Sequence, residues 1–203
     1  MRSRIITILL SALLALILTG CASDQINPYD TRWNIEVGAP KHYDVWVTDF
    51  EFIAVDKRRW RHPAGLVRCC WKGDGGPRGA GGGVTPFPDY VLLRWFSFAE
   101  QKFYGAEIQL PDNLLEQMKE PVAYTRPNGE EVKKPRNTVV LGLAPGGEIV
   151  MWIRNHITTA KEVARFRPIP MTGDPSQYQA RTESYLERSG DYIEEHGVPT
   201  EGW

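Results

Sequence analysis

The sequence predicts a mainly β protein: an antiparallel β-sandwich-like sheet with a short central helix and C-terminal helices. Three observations predict it. Seven Trp, eight Tyr and seven Phe, which suit a pleated and half-buried surface, occur with 19 Gly and 15 Pro, which punctuate turns. Tyr43 to Val55 alternates with a period of two, placing Trp46, Thr48, Phe50, Phe52 and Ala54 on one face and Asp49 and Glu51 on the other. Thr138 to Leu143 and Glu148 to Arg154 are apolar runs joined by Ala144-Pro145-Gly146-Gly147, a hairpin signal.

The first residues carry an address rather than a fold. Arg2 and Arg4 precede Ile5 to Leu18, an uncharged run of 14 residues. That run suits a signal peptide and falls short of the ~20 apolar residues that span a bilayer. Leu18-Thr19-Gly20-Cys21 follows and looks like a lipobox, in which the cysteine thiol is acylated and the leader removed. The expected organisation is a signal peptide over residues 1–20, a lipidated tether over 21–29 and one globular β-rich domain over 30–203. A plain secretory leader cut at the same place would deliver the domain to the same compartment. Ala22 to Tyr29 is polar, contains Pro28 and lacks periodicity, as a tether does. Several acyl chains on Cys21 would hold the protein firmly to a membrane, whereas one chain binds only marginally. Ala22 and Ser23 stand where an Asp would retain an enterobacterial lipoprotein at the inner membrane, so the expected location is the outer membrane, facing the periplasm.

Removing the 20-residue leader from 203 residues leaves 183, enough for one sizeable core. Without Arg2 and Arg4, 22 basic residues face 25 acidic ones, a net charge of −3. A near-neutral balance argues against a nucleic-acid partner, which calls for a clustered basic excess.

Along the domain, Asp49 and Glu51 read as solvated residues on an open strand face, and Lys57, Arg58, Arg59 and Arg61 around Trp60 as a charged hairpin tip. Gly65 to Trp71 is a further strand and carries Cys69 and Cys70. Neighbouring Cα atoms sit about 3.8 Å apart across a trans peptide, below the usual disulfide range of about 4.4–6.8 Å, so two thiols are expected, with a strained vicinal bridge as the alternative. No second, spaced pair of cysteines suggests a metal site. Gly73 to Gly83 holds seven glycines in eleven residues and lacks the Gly-Lys-Ser/Thr close of a phosphate-binding loop. It reads as a mobile surface loop. Glycine lets a backbone approach another surface closely, which makes Gly73, Asp74, Arg78 and Gly82 candidates for partner binding.

Tyr90 to Glu100 is apolar on both faces, as a central strand is, and Phe103 to Leu110 is its neighbour. Pro111-Asp112 opens a short helix with Leu114, Leu115 and Met118 on one side. Arg126-Pro127-Asn128-Gly129 is a turn between Val122–Thr125 and Glu131–Lys133, and it adds Arg126 and Asn128 to the partner-binding candidates. These loops are expected to gather at one end of the sheet. Val163 to Pro168 gives another strand, with Arg165 and Arg167 on one solvated face. Asp174-Pro175 reads as N-cap and N1 of a helix. Its stripe is Tyr178, Thr182, Tyr185, Leu186, Tyr192 and Ile193, interrupted at Gly190.

No catalytic constellation is visible. His42, His62, His156 and His196 are scattered without an H-E-x-x-H motif, and Ser97 lies between Phe96 and Phe98 rather than in a G-x-S-x-G turn. The expectation is a protein that is not an enzyme, with no catalytic residue, no metal and no cofactor.

Several segments together resemble a known group. They are the leader with Cys21, Val37-Gly38-Ala39-Pro40, the glycine-rich stretch, Arg94-Trp95-Phe96-Ser97, Leu141 to Gly147, Val163-Ala164-Arg165 and the closing Gly202-Trp203. With them the chain resembles proteobacterial lipoproteins of a domain-of-unknown-function family. Some lipoproteins of this kind are similar to immunity proteins encoded beside type VI secretion phospholipase effectors. The resemblance implies a periplasmic, membrane-anchored binding protein that neutralises a secreted lipase. A structural or ligand-binding envelope lipoprotein is the alternative.

Overall fold

In the computed structural model residues 32–71 and 77–203 are described. Cys21, the tether, Gly73 and Asp74 lie outside them. The first strand had a signal that the reading above passed over. Trp33, Ile35 and Val37 alternate with Asn34 and Glu36, and all three apolar side chains are fully buried in β1, Trp33–Gly38.

The chain continues through β2 (Val45–Ile53), β3 (Arg59–Arg61), β4 (Gly65–Val67), β5 (Ala80–Val84), β6 (Tyr90–Ser97) and β7 (Lys102–Gln109). Helix α1 (Leu114–Lys119) leads to the hairpin β8 (Pro121–Thr125) and β9 (Glu131–Pro135). Strands β10 (Thr138–Leu143), β11 (Ile149–Arg154), β12 (Lys161–Phe166) and β13 (Ile169–Met171) follow, and helix α2 (Gln179–His196) comes last. One sheet has the order β12-β11-β10-β1-β5. The other has the order β13-β7-β6-β2-β3, with β4 also paired to β2. Pairing is antiparallel except between β1 and β10, which run parallel.

The two sheets pack face to face. Trp33, Ile35, Val37, Val139, Leu141, Ile149 and Met151 of the first meet Val45, Val47, Phe50, Phe52, Val91, Leu93 and Trp95 of the second in one buried cluster. At about 25 cal/mol per Å² of apolar surface removed from water, this layer is the main favourable term in folding. Strand β6 is central, as expected, with Val91, Leu93 and Trp95 buried.

Each outer face has its own cover. Across the six-stranded sheet, α2 buries Tyr185 against Phe96 and Phe98, with Trp46, Phe103, Tyr178 and Ile193 around them. Across the five-stranded sheet, Trp71, Val140, Val150 and Trp152 form a cluster joined by Trp203 of the C-terminal tail. Gly142 sits under these rings: a Cβ there would come 2.6 Å from Trp152 and collide with Trp71.

Four local expectations are corrected. The face of β2 changes phase, because a bulge between Val47 and Asp49 inserts Thr48. Val45 and Val47 point into the core before the bulge and Phe50 and Phe52 after it, so Trp46 and Thr48 do not share their face. Strand β4, expected over Gly65 to Trp71, ends at Val67. Helix α2 runs unbroken through Gly190, where an added Cβ would meet only Leu186 at 3.9 Å, and Leu186 itself is 45% exposed rather than part of the docking stripe. Cys69 and Cys70 form a disulfide instead of two thiols. The peptide between them is cis, where the expectation assumed a trans one, and their Cα atoms are 3.0 Å apart.

Candidate functional site

An edge strand exposes unpaired backbone groups, and sheets ordinarily defend such edges with charge, proline or brevity. Strand β12 ends one sheet with Lys161, Glu162 and Arg165, and β13 ends the other with three residues including Pro170. On the opposite side of that sheet the edge is split into β3 and β4, three residues each, with Arg59 and Arg61 on β3. Strand β5 differs. It is Ala-Gly-Gly-Gly-Val over residues 80–84, pairs with β1 alone among the described strands, and has neither charge nor proline.

The glycine-rich stretch is therefore a strand over its last four residues, continued by Val84, and not a loop there. Its pairing with β1 runs from Trp33 opposite Val84 to Val37 opposite Ala80. Close approach explains some of its glycines: a Cβ at Gly79 would strike the Val37 carbonyl, and one at Gly81 the Ile35 carbonyl. Nothing comparable constrains the next two. A Cβ at Gly82 would meet His62 at 3.7 Å and one at Gly83 the Trp33 carbonyl at 3.8 Å, both ordinary contacts. The fold has room for side chains at Gly82 and Gly83 that the sequence does not supply.

The surroundings of β5 are ordered. Cys70 and Arg78 exchange two backbone hydrogen bonds of 3.0 and 3.1 Å, which close the segment leading into the strand. The Gly79 amide donates to Glu36 Oε2 at 3.1 Å, and Arg154 Nη2 donates to the same oxygen at 2.8 Å. At the far end His62 Nε2 donates to the Gly83 carbonyl at 2.9 Å. Between β4 and β5 lies a groove of about 360 Å³ lined by Leu66, Val67, Arg68, Cys69, Cys70, Arg78, Gly79 and Ala80. Arg68 and Arg78 are exposed on it, and among the described residues no carboxylate lines it.

Of the candidates read from the sequence, Arg78 and Gly82 belong to this edge, while Gly73 and Asp74 lie outside the described residues. Arg126 and Asn128 do not join them. They stand at the tip of the β8–β9 hairpin, where Arg126 Nη1 pairs with Glu130 at 2.7 Å and Asn128 Oδ1 accepts from the Glu130 amide. Asn155 ties the root of that hairpin by donating to the carbonyls of Val122 and Lys134. Asn155 follows Arg154, which is opposite Thr138, itself opposite Asn34 at the start of β1, whereas Arg78 lies by Gly38 at its end. The candidate loops thus occupy opposite ends of the sheet, not one end. His62, Arg68, Gly83 and the Cys69–Cys70 pair are the members of the edge site that sequence reasoning missed.

Other polar residues have structural partners. Asp49 and Glu51 face Arg61 and Arg59 across the β2–β3 hairpin, with Glu51 Oε2 3.3 Å from Arg61. Arg165 pairs with Glu148 and Glu162 and donates to the Trp203 carbonyl, so it fastens the C-terminal tail. His42 and His196 stack on either side of Tyr192, with ring centroids 3.8 and 4.1 Å away. His156 caps a 3₁₀ turn and stacks on Tyr124. Among the described residues no group of three or more His, Cys, Asp and Glu is placed to hold a metal, and no helix is long and apolar enough to cross a membrane.

Comparison with curated proteins and with solved structures finds no match. Residues 22–201, most of the chain, match the family model described as Protein of unknown function (DUF2931), and the chain belongs to that family.

Proposed function

We propose that this protein is a lipid-anchored, non-catalytic binding protein of the cell envelope, held at the outer membrane through Cys21, that captures a protein partner on the glycine edge of its five-stranded sheet. The observation that carries this reading is the pair Gly82 and Gly83. An undefended edge invites association, and here glycine leaves it bare where packing does not demand glycine. The engagement of His42, His62, His156 and His196 in stacking and capping supports a binding role over a catalytic one. The resemblance to immunity lipoproteins makes a secreted phospholipase effector the partner to test.

The test reads the gene neighbourhood and, where a phospholipase effector is encoded there, mixes that effector with the purified protein and measures complex formation and residual lipase activity. Inhibition that saturates at a fixed stoichiometry, without turnover, is expected. Absence of a complex at micromolar concentration, or inhibition persisting far below one inhibitor per enzyme, refutes the reading. Location is tested separately. Cys21→Ser protein should leave the membrane fraction, and its retention at high salt would place the anchor elsewhere.

A second reading, capture of a small ligand in the envelope, is favoured by one observation. Grooves of about 530 and 590 Å³ meet at Tyr104, Gly146, Pro170 and Thr200. On their wall the Glu100 side chain is 4% exposed, with Oε1 accepting from Tyr104 at 2.7 Å and Oε2 buried without a hydrogen-bond partner. Ligand-dependent protection of Tyr104 and Glu100, with the β5 edge unaffected, would favour it.

A further inference from the structure

We propose that β5 accepts an extended, acidic segment of a partner protein as an added β-strand. This rests on the binding role proposed above and supplies its mode and the chemistry of its partner. The first argument is backbone direction. In an antiparallel ladder the N–H and C=O of one residue either both face the paired strand or both face away from it. The Gly83 carbonyl faces His62, on the side away from β1. Its N–H is therefore directed outward as well, and the residue presents a donor and an acceptor to an incoming strand.

The second argument is shape. Strand addition needs two backbones about 4.8 Å apart, and receiving edges are ordinarily guarded by charged side chains or proline. Gly81, Gly82 and Gly83 have none, and Gly81 and Gly83 are exposed. Among the described residues outside β1, the His62 ring lies against this stretch, and its bond to Gly83 is replaced by the first bond of the added strand.

The third argument is charge. Among the described residues, the adjoining groove carries Arg68 and Arg78 with no carboxylate in its lining, and the one ion-pair contact of Arg68 is a long one, 3.9 Å, with Asp44. Leu66, Val67 and Ala80 supply the apolar part of the same wall. Alternate residues of a strand face opposite sides, so a segment alternating acidic and small apolar residues satisfies both parts of the groove.

The probe is a synthetic peptide of about ten residues alternating Glu and Val, compared with one alternating Lys and Val. With the purified protein, the acidic peptide should bind saturably and shift the amide resonances of Gly82 and Gly83. The basic peptide should bind at least about tenfold more weakly. Gly83→Pro removes the outward N–H at an edge position and should abolish peptide binding while the melting temperature holds. Should that variant fail to fold, Arg68→Glu with Arg78→Glu gives an independent measurement, with the peptide preference inverted. Lack of saturable binding, equal binding of both peptides, or an unchanged preference in the double variant overturns the proposal. An effector complex that forms while the acidic peptide fails removes strand addition alone. Peptide binding without any effector complex removes the immunity partner and leaves the edge standing.

Discussion

Tyr185 Oη donates a 2.7 Å hydrogen bond to the backbone carbonyl of His42, joining the C-terminal helix to the turn between β1 and β2 across 143 residues of sequence. Tyr185 is fully buried and stacks on Phe98 at 5.5 Å, and burial pushes its phenol pKa upward, so it stays a donor at neutral pH. Tyr185→Phe keeps the ring and deletes the bond. The expected loss is about 0.5–1.5 kcal/mol in chemical denaturation. Tyr185→Ala also empties the site under α2 and should cost about 3–5 kcal/mol. Equal losses in the two variants would show that packing of the ring contributes nothing.

Asp44 gives the stability a pH dependence of known sign. It is 5% exposed, and its carboxylate accepts from Arg188 Nη2 at 3.2 Å. Burial outweighs the opposing pull of Arg188, Arg68 and His42, so its pKa lies above the ordinary Asp value. A carboxyl that holds its proton more tightly when folded favours the fold at low pH, and that contribution disappears as pH rises through the folded pKa. Asp44→Asn removes the ionisation. The variant should melt at or above the parent temperature near pH 7, and the difference should shrink by about pH 4. A variant less stable than the parent near pH 7, with the gap closing near pH 4, would mean that the Arg188 pairing outweighs burial.

Much of the fold was legible in the sequence because it rests on local chemistry. Ala144 to Gly147 turns where Gly146 and Gly147 adopt positive φ values of 76° and 79°. Asp174 caps the C-terminal helical segment through the Ser176 amide at 3.0 Å. What escaped is fixed by partners distant in the chain. The bulge at Thr48 exists because β2 must match β6, the parallel pairing of β1 with β10 joins residues about a hundred positions apart, and no local period announces either. The glycine stretch misled for the same reason. Glycine is poor in isolated strands, yet Gly81 lies in one and Gly79 leads into it, because β1 comes too close for any Cβ at either position. Of the candidate site, only Arg78 and Gly82 were readable, and His62 joins them through tertiary contact alone.

The Cys69–Cys70 disulfide links residues one position apart, so it closes no loop of consequence and restricts the unfolded chain very little. Replacing both cysteines by Ser should cost little stability, because the backbone bonds between Cys70 and Arg78 do not depend on sulfur. Thermal melts of the double variant check this. A fall of more than about 8 °C, which corresponds to about 2–4 kcal/mol for a domain of this size, would assign the pair a structural role.

Hydrogen exchange across the complex with the partner effector tests the binding edge most directly. The Gly83 amide, which faces away from β1, should exchange readily in the free protein and slow on complex formation, whereas the Gly82 amide, which faces β1, should be protected in both states. The Arg126 to Gly129 turn, rooted at the opposite end of the sheet, should exchange at the same rate in both states. Protection confined to that turn, or to the Tyr104 grooves, with the β5 amides unchanged in a saturated complex, would contradict the account.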